Sequence, residues 1–427
     1  MTAPEATRVA LSDLQDIVGR EHAWEAAESD SIDGMQPRFV AEPGSTDEAS
    51  AILRLANESG LAVSPRGNGT KLDWGNPPQR LDLILSTRRL DRTLEHAEGD
   101  LVIRAGAGVP LARLQEAVND TDQKLAVDPT APEGTVGGLI AANDSGPRRY
   151  RYGTVRDLLI GITYILPDGT IAKAGGRVVK NVAGYDLGKL FTGSLGTLGL
   201  IAEGIFRLHP QPPAARIVIL AVSDLDSLSD ATRRIMNAQI VPSALEFGWE
   251  LGHGVLAVLL ESIEPGVEVQ AQTAQAVLEP LGKTRVLHGA QHESWQRLTT
   301  QPWQGSTAAL KISVPPTALA EMTRTVTSVC DRQRVVPRIV GHAGTATVLV
   351  RCSADAERAL TSALVDLRTR AMGLGGSAML LHASPSVKRE VGVFGPTGDT
   401  LPLMRRIKER FDPRHTMNPG RFVEGME

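Results

Sequence analysis

The residues best suited to chemistry fall in three glycine-rich stretches of the N-terminal half and at a few polar positions further on. The first stretch, Ser64-Pro65-Arg66-Gly67-Asn68-Gly69-Thr70, follows a short apolar run, LAVSP. Successive residues that tolerate positive φ let backbone N–H groups converge, and such a nest holds a phosphate. The same composition also suits a plain surface turn. The second stretch, residues 134–157, carries glycines at 134, 137, 138, 146 and 153 together with Ala141 and Ala142. So many small residues weaken any helix or strand but let the backbone approach something large and flat. The third, residues 175–208, spaces Gly193, Gly196 and Gly199 without the GK[ST] of a Walker loop. GAGVPL at 106–111 begins like a dinucleotide fingerprint, but Leu111 stands at its third glycine, which argues against a nicotinamide site.

In the C-terminal half, Lys311 in LKISVPP could face a carboxylate substrate, although lysine on a strand's solvent face is commoner. His342 sits in GHAGTATVL and His382 in LHA. For each, a packed or hydrogen-bonded ring is the commoner role, and a lone histidine makes no metal site. Tyr185 reads as a packed aromatic. Arg148, Arg149 and Arg151 suit a solvated loop rim, and an acidic substrate or partner would also attract them.

The elements that must position these residues are short. A helix over residues 46–59 is predicted from the capping-box spacing of Ser45 and Glu48, the shared face of Ala49, Ile52, Leu53 and Ala56, and the stop at Gly60. LAVSP, LDLILS and LVIRAG read as strands and residues 110–119 as a helix. Three prolines in HPQPPAA, residues 209–215, suit a domain boundary. Strands and helices then alternate, giving an α+β second domain, and the last segment reads as a helix broken by two prolines. No repeat of 20–50 residues is visible. The 427 residues suffice for two or three domains. Nothing in a formal net charge of -4 suggests broad nucleic-acid binding, which calls for a basic domain or stripe. The two cysteines, Cys330 and Cys352, leave one disulfide open but are too few for a four-thiolate iron–sulfur cluster. No signal peptide and no run of ~20 apolar residues is present, so a cytoplasmic location is expected, peripheral to the membrane at most through a partner.

PRGNGT resembles the pyrophosphate loop of the vanillyl-alcohol-oxidase (PCMH-type) FAD-binding domain, and residues 134–157 resemble its second flavin-contacting stretch. VVKNVAGYDLGKLFTGSLGTLGLIAE is similar to the glycolate oxidase group, and within it to the FAD-binding subunits rather than the larger flavoprotein subunits. KERFDPRHTMNPGRF resembles the terminal segment that returns to the flavin. The resemblance implies a two-part α+β FAD-binding domain at 1–208, an α+β, ferredoxin-like cap at 209–395 and a returning segment at 396–427. It implies flavin contacts at Pro65, Arg66, Gly67, Asn68, Gly69 and Thr70, at Thr135, Gly137, Gly138, Ala141, Asn143, Gly146 and Gly153, and at Val155, Ile201 and Asn418. With no histidine in 61–80 and no cysteine before 330 to serve as the family's attachment residue, the FAD is expected to be non-covalent.

Related 2-hydroxy-acid dehydrogenases carry a Gly-His-x-Gly-Asp-Gly-Asn-x-x-His pattern and a later Glu-His-Gly. Here only His342 and His382 remain, with Thr345, Thr347 and apolar residues elsewhere, so no metal site is expected. Relatives place a substrate-binding lysine where Lys311 stands, and Lys311 and His342 are the catalytic candidates. The implied function is the FAD-binding subunit of a glycolate dehydrogenase complex, with electrons leaving through a second flavoprotein subunit and an iron–sulfur subunit. On its own the chain is expected to turn over poorly. A free-standing FAD-dependent oxidase and a non-catalytic, FAD-holding assembly subunit are the alternatives.

Overall fold

The computed structural model describes residues 9–176, 185–289, 292–299, 305–424 and 426. The RVVKNVAG part of the third glycine-rich stretch lies outside the described residues.

The N-terminal half is built on two sheets. In the first, β1 (Ala23–Glu25), β2 (Phe39–Ala41), β3 (Val63–Arg66) and β4 (Leu83–Ser86) lie in the order β1-β2-β4-β3, with β2 and β3 both parallel to β4. The helix Thr46–Glu58 makes the crossover between β2 and β3. Its Ser45 Oγ accepts the Glu48 N–H at 3.1 Å, and Glu48 in turn accepts the Gly44 N–H at 2.7 Å. The predicted face of Ala49, Ile52, Leu53 and Ala56 is fully buried, and Ile52 and Leu53 so placed each stabilise the fold by roughly 1.5–3 kcal/mol. β3 thus delivers residues 64–70 at a sheet edge, as the loop chemistry requires.

The second sheet is antiparallel: β5 (Thr93–Ala97), β6 (Val102–Gly106), β8 (Leu159–Ile165), β9 (Ile171–Gly175) and β10 (Leu200–Arg207) run in the order β5-β6-β10-β8-β9. The helices Leu111–Asn119 and Val136–Ala142 pack on it through Leu114, Val118, Leu139 and Ile140. A two-residue ladder, β7 (Gln123–Lys124) with β11 (His209–Pro210), closes the unit at the proline-rich boundary.

The second half is one eight-stranded antiparallel sheet of β12 (Ala214–Val222), β13 (Ala244–Glu250), β14 (His253–Ser262), β15 (Thr284–His288), β16 (Ala308–Ser313), β17 (Val336–His342), β18 (Thr347–Ser353) and β19 (Ser377–His382), ordered β15-β12-β14-β13-β17-β18-β16-β19. Each half of that order is a strand-helix-strand-strand-helix-strand unit, with its fourth strand beside the first and its third between first and second. The cap is therefore two ferredoxin-like units joined edge to edge through β13 and β17. Each unit is longer than the 20–50 residues over which a sequence repeat is sought. The long helices Leu225–Asn237, Glu264–Leu278, Leu319–Gln333 and Glu357–Gly373 cover one face, burying Val218, Phe247, Leu310, Val350 and Leu364. On the other face Trp295 of the helix Glu293–Thr299 packs on Ile217, Ala257 and Leu259, while Ala309 and Leu381 meet Trp74 of the N-terminal half.

The final helix, Leu401–Phe411, is unbroken, against expectation: Pro402 sits in its first turn, where no intrahelical N–H is needed, and Pro413 follows its end. Lys408 is buried and donates to Asp412 Oδ2 at 2.6 Å and to the carbonyls of Thr197 and Met417. This ties residues 412–418 to β3, where Asn418 donates its N–H to the Val63 carbonyl at 2.9 Å. The terminal segment thus returns to the N-terminal half.

Candidate active site

The loop after β3 folds against the start of the helix Val136–Ala142. A Cβ on Gly67 would collide with Thr135 Oγ1, and one on Gly137 would lie 2.8 Å from Ala107 Cβ. Both glycines are needed so that chain can lie on chain. Neither they nor Gly138 has positive φ; in the loop only Gly69 does, at +77°. The expectation of a loop rich in positive-φ residues is thus corrected: the constraint is close packing at Gly67 and Gly137 and handedness at Gly69. Asn68 Nδ2 donates to the Glu133 carbonyl at 2.7 Å, and Arg66 pairs with Asp30 at 2.7 Å, so both side chains turn to protein partners and leave backbone exposed.

Between these elements lies a cleft. It is lined by residues 64–72, by Thr135, Gly137, Gly138, Ala141 and Ala142 from one side of the short helix, by Ile201 at the start of β10, and by Asn418. On the cleft side of Gly138 a Cβ would meet only Thr135 Oγ1, at 3.4 Å. Ser64 Oγ and Arg66 Nε are buried without a hydrogen-bond partner. A flat space bounded by small residues and unspent donors fits an aromatic dinucleotide with acceptor-rich phosphates.

Of the expected contacts, Pro65, Arg66, Gly67, Asn68, Gly69, Thr70, Thr135, Gly137, Gly138, Ala141, Ile201 and Asn418 line this cleft, whereas Asn143, Gly146, Gly153 and Val155 do not. Asn143 ends the helix at φ 48°. Gly146 packs on the Asp128 carbonyl, and Gly153 on Asp157. Val155 is buried, its N–H bound to Ser145 Oγ at 3.0 Å. These four shape the chain behind the cleft. Trp74, Lys71, Gly196 and Arg421 also line it; Gly196 was visible as part of the third glycine-rich stretch. Lys71 pairs with Asp144 at 3.1 Å.

The free face of β16, β18 and β19 closes over the rim. Trp74 packs with Ala309 and Leu381, and Ala142, Leu349 and Met379 pack against them. Lys311, two residues beyond Ala309, shares that face, with Leu349 and Met379 as its cross-strand neighbours. Its ammonium makes no hydrogen bond among the described residues. Burial, helped by the positive charge of Arg149, pulls its pKa down to about 8, with Asp144 opposing. Lys311 therefore does not lie on a strand's solvent face.

His342 is not alone either. Its Nδ1 lies 2.9 and 2.8 Å from the two Glu246 oxygens, on directly paired residues of β17 and β13. Both side chains are buried, and burial pushes the Glu246 carboxyl upward while His342 opposes it. The Glu of the Glu-His-Gly position is absent, Leu381 standing there, but a carboxylate reaches His342 from a strand far upstream. The signal was Glu246 within ALEFGW, a charge flanked by apolar residues whose alternation turns it to the face opposite the helices. His382 Nδ1 pairs with Asp73 at 2.6 Å. Among the described residues no group of three His, Cys, Asp or Glu side chains is arranged to hold a metal ion. Cys330 and Cys352 are free and buried.

Charge also fastens cap to base. Glu261 on β14 accepts from Lys124 at 3.2 Å and from Arg148 at 2.8 Å, and Arg148 pairs in turn with Asp128 at 2.6 Å. Burial opposes the Glu261 charge, but the hydrogen bond and charge of Arg148, with Lys124, outweigh it and hold its pKa at about 2. Lys388 and Arg421 share Asp33 at 2.7 and 3.1 Å, joining cap, tail and N-terminal half.

Residues 37–175 match the FAD binding domain family, and residues 254–422 match the family of FAD linked oxidases, C-terminal domain. A D-lactate dehydrogenase of Archaeoglobus fulgidus is 30% identical over 413 residues, covering 90% of this chain and 91% of that protein. The chain belongs to the FAD-linked oxidase family. The glycolate oxidase subunit GlcD of Bacillus subtilis is 28% identical over 421 residues, or 90% of this chain and 89% of that subunit. Among solved structures, 4-ethylphenol oxidase from Gulosibacter chungangensis superposes with a TM-score of 0.75 at 16% identity over the whole of both chains. p-Cresol methylhydroxylase superposes at 0.74 and 14% identity, over 96% of this chain and 95% of that one. These two share the PCMH-type α+β fold. The cofactor of this FAD-linked oxidase is FAD, its relatives are 2-hydroxy-acid dehydrogenases, and its activity is oxidoreduction at CH–OH groups. Among the described residues no helix is long and apolar enough to cross a membrane.

Proposed function

We propose that this FAD-linked oxidase is a subunit of a glycolate dehydrogenase complex, oxidising glycolate to glyoxylate between cleft and cap and exporting the electrons to partner subunits. The observation that carries the reading is Lys311: a partly buried ammonium without a hydrogen bond among the described residues, on the cap face that closes the cleft. A cation left without an anion is costly in the empty protein and becomes favourable when a carboxylate arrives. Arg149, which burial also shifts downward, adds positive charge beside it.

In this reading FAD is held by the backbone of residues 65–70, by Thr135, Gly137, Gly138 and Ala141 and by Ile201 and Asn418, with Asn143, Gly146, Gly153 and Val155 shaping the wall behind. None of the described residues lining the cleft is a histidine, cysteine or tyrosine, which supports non-covalent binding. The bound cofactor supplies acceptance of the two electrons from the substrate's C–H bond. The chain's own residues hold the carboxylate at Lys311, exclude water with Trp74 and Leu381, and take up the hydroxyl proton at His342.

Electron export is supported by the Bacillus relative, a subunit of glycolate oxidase. A second flavoprotein and an iron–sulfur subunit, in the cytoplasm or at the membrane surface, would carry the electrons onward. The D-lactate dehydrogenase match favours a second reading, a dehydrogenase of D-lactate that works alone. Steady-state turnover of glycolate and D-lactate with oxygen and with an artificial acceptor tests both. The subunit reading expects slow turnover with oxygen and acceleration by acceptor or partner subunits. Oxygen-coupled turnover by the chain alone above ~10 s⁻¹, the median for enzymes generally, would overturn it.

A further inference from the structure

Proton removal from a hydroxyl needs a base whose lone pair points at the substrate. An imidazole serves only if its other nitrogen is held in the N–H form. His342 ends β17 at the rim of the cap face that carries Lys311, and Thr347, its cross-strand partner, begins β18. Its Nδ1 lies within 3 Å of both Glu246 oxygens. Burial favours the neutral Glu246 carboxyl and the charge and hydrogen bond of His342 favour the ionised one; ionised, Glu246 can only accept there, which makes Nδ1 the protonated nitrogen and leaves Nε2 its lone pair. Nε2 makes no hydrogen bond among the described residues.

The pair is fixed from both sides. Glu246 and His342 face each other across one ladder position, so backbone pairing sets their separation. The ring of Tyr150 lies against Gly344 in the turn after His342, where any Cβ would collide with it. This contact places residues 149–152 of the N-terminal half beside the dyad. The charged groups facing Glu246 are His342, Asp128 and Arg149.

We propose that Glu246 is a positioning residue for this oxidation, holding His342 as the Nδ1–H tautomer so that Nε2 accepts the hydroxyl proton of the 2-hydroxy acid. The inference rests on the proposed hydroxy-acid oxidation. As the O–H proton passes to Nε2, the O–H electrons form the carbonyl and the C–H hydrogen departs with its electron pair to the oxidised cofactor. His342 then carries a positive charge that Glu246 balances. Lys311 is left to hold the carboxylate alone, and the two duties fall on different strands.

The test uses the FAD-loaded protein, with glycolate and D-lactate as probes and an artificial electron acceptor. Glu246→Gln preserves shape and FAD content but can present its amide N–H to Nδ1 and reverse the tautomer. The proposal expects kcat to fall by on the order of 10²-fold, with KM changed by less than about threefold because the carboxylate contacts remain. It also expects E246Q to cost nothing further in a His342→Asn background, since the carboxylate acts through the ring. A variant that keeps kcat within twofold, or that loses activity through KM, overturns the proposal. So does additivity in the double mutant.

Nitrogen NMR of the histidine-labelled wild-type protein provides a readout that needs neither turnover nor a foldable variant. Nδ1 protonated and Nε2 bare is expected; the reverse tautomer overturns the proposal. If neither hydroxy acid is turned over while the Nδ1–H tautomer is found, the functional reading has failed and the geometry of the dyad has not.

Discussion

Replacing Lys311 by methionine should make the empty protein more stable while removing its grip on carboxylates. Methionine keeps nearly the same length without the charge. The fall in the lysine pKa from 10.5 to about 8 corresponds to roughly 3 kcal/mol of preference for the neutral amine. That figure is an upper bound, because the side chain is only partly buried and water still reaches it. A gain of about 1–2 kcal/mol in unfolding free energy at pH 7 is therefore expected for K311M, read by denaturant titration. The sign follows from proton counting. With the folded pKa below the unfolded one, the unfolded chain binds more protons between about pH 8 and 10.5, so wild-type stability from this group rises with pH across that window. The penalty is fully present below it, where K311M gains most.

Binding should run the other way. A carboxylate beside Lys311 restores the charged form, so affinity for a competitive ligand such as oxalate should weaken about tenfold per pH unit above the lysine pKa. The change in flavin absorbance on titrating oxalate into the FAD-loaded protein measures this. K311M should bind oxalate weakly and without that pH slope. A variant that is less stable than wild type and binds oxalate equally well at every pH would refute the reasoning.

Three further outcomes follow from the geometry. Gly138→Val should lose FAD, because the Cβ enters the open side of the cleft; full flavin occupancy by absorbance would remove that helix face from the site. Acid or heat precipitation should release the flavin into the supernatant, since no attaching side chain lines the cleft, and fluorescence retained on the denatured chain would contradict this. Glu261→Ala strands Lys124, leaves Arg148 with Asp128 alone, and should destabilise by about 3–5 kcal/mol; a calorimetric change below about 1 kcal/mol would show the clasp to be neutral.

Much of the cleft was legible because it is written locally. A glycine-rich loop after a strand and small residues on a short helix are contiguous signals, and their neighbours in space are neighbours in sequence. The conformational reason was less legible: Gly67 and Gly137 are required by contacts with Thr135 and Ala107, which composition does not disclose. The cap was legible as alternating strands and helices, but its pairing of two ferredoxin-like units was not, since only the joining of β13 to β17 reveals it. Glu246 was missed for the same reason. It reaches His342 through a ladder between strands some ninety positions apart, and no motif links the two. Asn143, Gly146, Gly153 and Val155 lie outside the cleft lining, because the chain leaves the cleft where the helix ends.

The central claim is that a 2-hydroxy acid gives up its electrons in this cleft with Lys311 and His342 beside it. The most direct measurement is anaerobic single turnover: mixing the FAD-loaded chain with glycolate or D-lactate and following the visible flavin absorbance, for wild type, K311M and His342→Asn. The account predicts that wild type bleaches, that K311M bleaches only at much higher substrate concentration, and that H342N bleaches slower by on the order of 10²–10⁴-fold at saturation. Bleaching at wild-type rate in both variants, or none in wild type with either acid, would contradict it.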